Sequence, residues 1–192
     1  DLELLYEQLD TLKDDDVLVL AGSIPSGMPQ SIYRDIMSRL QSKRIKIAVD
    51  ATKDLLMNVL AYHPFVIKPN NHELSEIFDV TIDSKEKAVV YAKELQKKGA
   101  QNVIVSMAGE GAVFVGSDGS VFTSEAPHGV VKNSVGAGDS MVAGFLAGYL
   151  AKGDYAEAFK MGLCTGSASA FSDQLATREE VEQVRRSHIF DF

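Results

Sequence analysis

The chain has 192 residues, 45% of them hydrophobic, and 19 basic against 27 acidic side chains give a formal net charge of −8. That balance shows no basic stripe of the kind that neutralises nucleic-acid phosphates, and no apolar run reaches the ~18 residues a membrane-spanning helix needs. The length fits one α/β domain with a core that needs no disulfide staples, so neither nucleic acid nor membrane is an expected partner.

The single Cys164 has no partner for an internal disulfide and points to a reducing compartment, the cytoplasm. No basic-then-apolar leader opens the chain. It starts at Asp1 without Met and runs straight into a periodic segment, a start that reads as a cut inside a larger protein.

The hydrophobic period switches repeatedly along the chain. Leu2, Leu5, Leu9 and Leu12 share one helical face over 2–13, and Val17–Ala21 is a wholly apolar run, as expected of a strand buried on both faces. A helix over 29–42, a strand over 45–49 and a helix over about 53–61 follow. A third strand, Phe65-Val66-Ile67, runs into Lys68-Pro69-Asn70. Helices are expected at 71–77 and 84–98, then a strand at 103–106. Ala112–Val115 and Val121–Thr123 flank an Asp118-Gly119 turn and read as a hairpin. Three helices complete the chain: one from the glycine turn at 136–138 to about 151, one over 154–171 and one over 178–187. Strands alternating with helices predict a Rossmann-like, mostly parallel α/β sheet flanked by helices, with a small antiparallel hairpin beside it, and one unit over 1–192.

In such a sheet, ligands bind outside the carboxyl ends of the strands, so the residues just after each strand carry the functional reading. The most informative stretch is Asn133-Ser134-Val135-Gly136-Ala137-Gly138-Asp139-Ser140. Gly136, Ala137 and Gly138 leave the backbone unobstructed at a helix start, where free amides and the positive dipole end suit an anion such as a migrating phosphoryl group. Asp139 lies in or beside the first turn, where a carboxylate could accept a proton from an attacking hydroxyl. A plain helix cap explains the same residues equally well. The stretch matches neither the Walker pattern nor the dinucleotide fingerprint.

Asn70 and Glu73 are three apart after Lys68-Pro69. Glu73 could hold Mg²⁺ through water with Asn70 beside it, and Lys68 could offset phosphate charge; an ordinary capping box is the stronger competing reading. Ser106-Met107-Ala108-Gly109-Glu110-Gly111 suits close approach by a phosphorylated or flat ligand, or is a plain glycine connection. In the loop Gly22-Ser23-Ile24-Pro25-Ser26-Gly27, Ser23 is a weaker candidate for bonding a polar substrate. Gly162, Gly166 and Ala170 recur every four residues and suggest close helix packing, with Ser167 adjacent. His63, His72, His128 and His188 lack metal-ligand spacing, and Cys164 reads as core.

Together these four segments resemble the PfkB-type (ribokinase-like) carbohydrate kinases. Val135 to Ser140 is similar to that family's C-terminal signature, Asn70 to Glu73 to its Asn-x-x-Glu element, Ser106 to Gly111 to its nucleotide loop, and Gly22 to Gly27 to its Gly-Ser-x-Pro-x-Gly loop. Order and approximate spacing agree over essentially the whole chain. Asn133–Gly144 and Val49-Asp50-Ala51-Thr52 favour the subgroup acting on fructose 1-phosphate over the one acting on tagatose 6-phosphate. The resemblance implies MgATP-dependent phosphorylation of D-fructose 1-phosphate at its 6-hydroxyl.

It also implies roles. Asp139 is the expected base, and Gly136, Ala137 and Gly138 form the anion hole. Asn70 and Glu73 organise Mg²⁺ and phosphates, with Lys68 near the phosphate tail. Ser106, Met107, Ala108, Gly109, Glu110 and Gly111 border ATP, Ser167 lies near the adenine or ribose, and Ser23 faces the sugar. K⁺ held by backbone oxygens near the turn is a frequent family feature.

Family members usually begin with several strands, a sugar-binding lid and an acidic sugar ligand, so the resemblance implies that about the first third is not in this chain. This piece would then lack much of the sugar site and be inactive alone. In relatives the lid often mediates dimers, which makes a homodimer one expectation for the parent. Lys53 stands where many relatives carry glycine. A non-catalytic nucleotide-binding module is the competing reading from another class; a nicotinamide-dependent oxidoreductase is disfavoured by the lack of an early glycine fingerprint.

Overall fold

Side chains along the central strands alternate between two apolar cores, and that alternation sets the architecture. The computed structural model describes residues 2–192. Its six-stranded sheet runs in chain order: β1 (Val17–Ala21), β2 (Lys46–Asp50), β3 (Val66–Ile67), β4 (Asn102–Ser106), β5 (Ala112–Val115) and β6 (Val121–Ser124). The first four strands are parallel; β5 pairs antiparallel with β4, and β6 with β5. Ile47, Val49, Ile67, Val103 and Val105 point into one core, while Ala48, Val66, Ile104 and Phe114 point into the other.

The helices divide accordingly. Helices α1 (Leu2–Asp10), α2 (Ile32–Leu40), α3 (Lys53–Met57), α4 (Asn71–Phe78) and α5 (Lys85–Lys97) send Leu9, Ile36, Leu56, Leu74 and Leu95 into the first core. Helices α6 (Ala137–Lys152) and α7 (Tyr155–Phe171) send Met141, Phe145, Phe159 and Leu163 into the second. Helix α8 (Arg178–Ser187) covers α7, packing Val181 with Cys164 and Ala168. Adjacent parallel strands laid down in order, with crossovers of one hand, put the connecting helices on one face. The other face is left to α6 and α7, which bring the glycine turn to the carboxyl ends of β2 to β4.

Several expectations need correction. Val17–Ala21 is an edge strand and is not buried on both faces: among the described residues β1 pairs only with β2, and Val19 is 46% exposed. The helix read over 53–61 stops at Met57 and resumes as a 3-10 turn at Leu60–Tyr62, ended by His63 at a φ of 55°. The hairpin lies beside the parallel strands as expected, and it joins their sheet by pairing with β4, Val103 opposite Val115. Its turn is the Asp118-Gly119 pair, closed by the Gly116 amide donating to the Ser120 carbonyl at 2.8 Å.

Helices α6 and α7 meet backbone to backbone. A Cβ on Gly162 would lie 2.9 Å from the Met141 carbonyl oxygen, and one on Gly166 would lie 3.0 Å from that of Ala137. Beyond α8 the tail folds back, stacking Phe192 on Phe122 and tilting it against Phe159. Among the described residues no helix is long and apolar enough to cross a membrane.

Candidate active site

Strand register assembles the site. Ala48 and Val49 of β2 lie opposite Val66 and Ile67 of β3, so Asp50 and Lys68 leave neighbouring strands side by side. Pro69 holds Lys68 extended, and the chain then makes one further bridge, Asn70 to Ser106, with the Ser106 amide donating to the Pro69 carbonyl at 3.1 Å. The Asn-x-x-Glu segment and the Ser106 loop, 36 positions apart in sequence, are thereby in register.

The glycine turn arrives from the other face. Gly136 adopts a φ of 78°, a left-handed conformation that glycine tolerates without penalty, and α6 starts at the next residue. The Ala137 amide donates to the Ser134 carbonyl at 3.2 Å, so it is already committed within the protein. That corrects one member of the expected anion hole of Gly136, Ala137 and Gly138, since the Ala137 amide is not free. The Gly136, Gly138 and Asp139 amides have no acceptor among the described residues, and the last two sit at the positive end of a 16-residue helix. The approach to the turn is fixed: Lys132 and Asn133 amides both donate to the Ala170 carbonyl, and the Val135 amide donates to Asn133 Oδ1 at 3.0 Å.

Charges concentrate at the meeting point. Lys68 Nζ lies 3.3 Å from Asp50 Oδ2, with side chains only 7% and 17% exposed. A Cβ added to Gly138 would come 3.2 Å from that nitrogen, so the ammonium lies directly against the first turn of α6. Burial raises the Asp50 carboxyl above its ordinary pKa; Lys68 pulls it back, while the negative charges of Asp139 and Glu73 push it further up. Asp139 is exposed, and its carboxylate has no hydrogen-bond or ion-pair partner among the described residues. Only Asp50 pairs with the Lys68 ammonium, while Asp139 and Glu73 lie near enough to Asp50 for their charges to be felt there, so carboxylates outnumber cations at this point.

Asn70 and Glu73 form the capping box that competed with a metal role. The Glu73 amide donates to Asn70 Oδ1 at 2.8 Å and the Asn70 amide to Glu73 Oε2 at 2.9 Å. One Glu73 oxygen stays free, whereas the Asn70 carbonyl oxygen is engaged. No three His, Cys, Asp or Glu side chains among the described residues converge as a metal cage. A divalent ion held through water by Glu73 fits this donor set and its surplus negative charge; direct ligation by Asn70 fits poorly.

The remaining candidates spread around this centre. Ala108–Glu110 form a 3-10 turn with Ala108 at a φ of 49°, and Ala108, Gly109 and Glu110 are exposed. Met107 is instead buried in the core, and Gly111 packs so closely on the Ser124 carbonyl that a Cβ would lie 2.0 Å from its oxygen. Those two support the loop and offer a ligand no side chain. Ser167 is half-buried, next to the Gly166 contact with Ala137. Ser23 is exposed without a side-chain partner; its loop is tied to β2 by the Gly22 amide donating to the Asp50 carbonyl, and Tyr33 Oη donates to the Ala21 and Gly22 carbonyls. Burial pushes the Cys164 thiol up to about 12, which removes it as a nucleophile.

Sequence reasoning left out two features. Asp50 was visible only as a polar residue ending a strand, since its pairing with Lys68 depends on register. The rim beside the turn is apolar and open: Val130, Val131, Val135 and Leu175 are all exposed, and Leu175 Cδ2 lies 2.9 Å from where a Gly136 Cβ would stand.

The family model for pfkB family carbohydrate kinases matches residues 1–180. The chain is 44% identical over 184 residues to the 1-phosphofructokinase of Bacillus subtilis (strain 168), spanning 96% of this chain and 60% of that protein. It is 30% identical over 167 residues to the D-tagatose-1-phosphate kinase of Bacillus licheniformis, spanning 86% and 55%. Its fold matches the crystal structure of a phosphofructokinase-like protein from Staphylococcus aureus with a TM-score of 0.91 at 38% identity, over 96% of this chain and 60% of that one. The phosphofructokinase-2 of Escherichia coli in complex with potassium aligns with a TM-score of 0.87 at 27% identity, over 96% and 60%. The chain spans about 60% of the length of the relatives it matches best among these.

Proposed function

Because the chain belongs to the pfkB family of carbohydrate kinases, we propose that it serves ATP-dependent phosphorylation of D-fructose 1-phosphate at the 6-hydroxyl, giving fructose 1,6-bisphosphate. The observation that carries this reading is the unpartnered Asp139 carboxylate beside the acceptor-free Gly138 and Asp139 amides, with Lys68 against the same turn.

The chemistry is positioning plus electrostatics. The γ-phosphoryl group rests on the Gly138 and Asp139 amides and the Lys68 ammonium, which face the charge spread over its oxygens. As the sugar O6 attacks phosphorus, its proton passes to Asp139, the bond from phosphorus to the bridging oxygen breaks, and ADP leaves. Mg²⁺, when bound, neutralises charge on the β- and γ-phosphates, and Glu73 would hold it through water. Exposed Ala108, Gly109 and the apolar rim of Val130, Val131, Val135 and Leu175 suit the nucleoside end, with Ser167 near it. The potassium complex of the related phosphofructokinase-2 supports the use of K⁺.

A second reading is favoured by the likeness to a D-tagatose-1-phosphate kinase. Fructose and tagatose 1-phosphates differ only in configuration at C4, remote from the transferring phosphoryl group, so the Asp139 turn suits both. A coupled ADP-release assay tests these readings on the protein in its full natural length, with the 192-residue chain beside it. The substrates are fructose 1-phosphate, tagatose 1-phosphate, fructose 6-phosphate and tagatose 6-phosphate. Highest kcat/KM on fructose 1-phosphate supports the first reading; ATP binding without transfer to any sugar phosphate overturns both in favour of a binding module.

A further inference from the structure

We propose that Asp50 is a positioning residue that aims the Lys68 ammonium at the phosphoryl-binding turn and serves as its counter-ion while the turn is empty; this rests on the kinase reading above. The pair is an unusual place to put charge. Removing two ions from water costs more than a buried pair commonly returns, so the pair is poorly explained by stability alone. It also lies where a cation is disfavoured: the ammonium faces the positive end of α6, within 3.2 Å of the Gly138 Cβ position, with Asp50 Oδ2 4.0 Å from that position. A like-signed arrangement of this kind becomes favourable once an anion sits between the amides and the ammonium.

Asp50 makes the arrangement tolerable before that anion arrives. It is the only ionic partner of Lys68 among the described residues, and one carboxylate engages one edge of an ammonium that carries three N–H donors. The strand register of β2 on β3 fixes the carboxylate, and the Gly22 amide bonded to the Asp50 carbonyl fixes its backbone. Lys68 therefore keeps one bond to Asp50 and presents its other donors to the turn, without losing rotamer freedom when the ligand binds. Gly138 fits the same account, since a side chain there would occupy the space between ammonium and helix.

The test is a double-mutant cycle on kcat with Asp50→Asn and Lys68→Met, made in the protein at its full natural length. If Asp50 acts through Lys68, Asp50→Asn lowers kcat at least 10-fold alone, leaves the KM for the sugar phosphate within 2-fold, and changes kcat less than 2-fold in the Lys68→Met background. Losses that multiply, or an Asp50→Asn protein with unaltered kcat, overturn the proposal. Should Asp50→Asn fail to fold, Asp50→Glu keeps the charge while displacing the ammonium by one methylene; it is expected to lower kcat at least 5-fold with an unchanged thermal midpoint, and unaltered kcat overturns the idea. If the unaltered protein transfers no phosphate, the kinase reading fails separately, and binding of inorganic tripolyphosphate decides the role of Asp50. Positioning requires weaker binding by Asp50→Asn or Asp50→Glu protein, whereas tighter binding by Asp50→Asn, the result of merely deleting a repelling charge, overturns it.

Discussion

The buried Ser169 hydroxyl of α7 donates a hydrogen bond to the Ser140 hydroxyl of α6 at 2.9 Å, one residue beyond Asp139. The same Ser169 oxygen accepts from the Ala176 amide at 3.1 Å, so the segment after α7 is tied through Ser169 to the start of α6. Ser169→Ala leaves that amide without its acceptor in a half-buried position. The expected cost is about 1–3 kcal/mol of unfolding free energy, read from urea denaturation. A loss below about 0.5 kcal/mol would mean that water or a neighbouring group replaces the bond.

Asp139→Asn keeps the size of the side chain and removes its capacity to take a proton. In the protein at its full natural length, ATP affinity is expected to stay within a few-fold, while kcat falls about 10²-fold or more. Turnover within a factor of two of the unaltered protein would remove Asp139 from the role of base.

His188 links acid sensitivity to the tail. Its Nε2 lies 3.1 Å from Ser124 Oγ and its ring meets Phe190 edge-on. Burial, then the nearby His128, lowers its pKa below the ordinary 6.5, with Asp191 opposing. A histidine with a depressed folded pKa takes up its proton first in the unfolded chain, so its contribution to stability is complete above pH 6.5 and declines as pH falls below that value. Denaturation midpoints measured between pH 8 and pH 5 are expected to drop in the acid half of that range. The drop should shrink in a His188→Gln protein; an identical slope in both proteins would assign it to other groups.

Lys53 opens α3 at a φ of 46°, in the left-handed region. Its ammonium reaches Glu76 at 3.2 Å, but both side chains are largely exposed, and a pair of that kind adds little. Relief of the left-handed strain is worth about 1–2 kcal/mol and the entropy lost by glycine offsets about half of it. Lys53→Gly is therefore expected to raise stability by about 0.5–1 kcal/mol in chemical denaturation. A destabilised variant would mean that the Glu76 contact outweighs the backbone term.

Local patterns were legible where one segment carries its own signal. The apolar runs of β2 and β4, the Asp118-Gly119 turn and the small residues of α7 all read correctly from the sequence, because period, turn chemistry and side-chain size act over a few neighbouring residues. Asn70 and Glu73 were found, but the same spacing encodes a metal site and a capping box, and the structure forms the box. What the sequence hid depends on partners far along the chain. Val17–Ala21 looks buried because its residues are apolar, yet burial is decided by how many neighbours the strand has. Asp50 and Lys68, 18 positions apart, become a pair only through the β2–β3 register, and Met107 turns inward although the Ala108–Glu110 turn that follows it is exposed.

The seam between α6 and α7 leaves no room for a side chain at its two glycines. With Gly162 and Gly166 drawn against the carbonyls of Met141 and Ala137, even one methyl group forces the two rods apart. The turn carrying Asp139 is therefore anchored like an anvil, and on the kinase reading proposed above, changes that redirect which sugar is accepted are expected on the surfaces around it rather than in this seam.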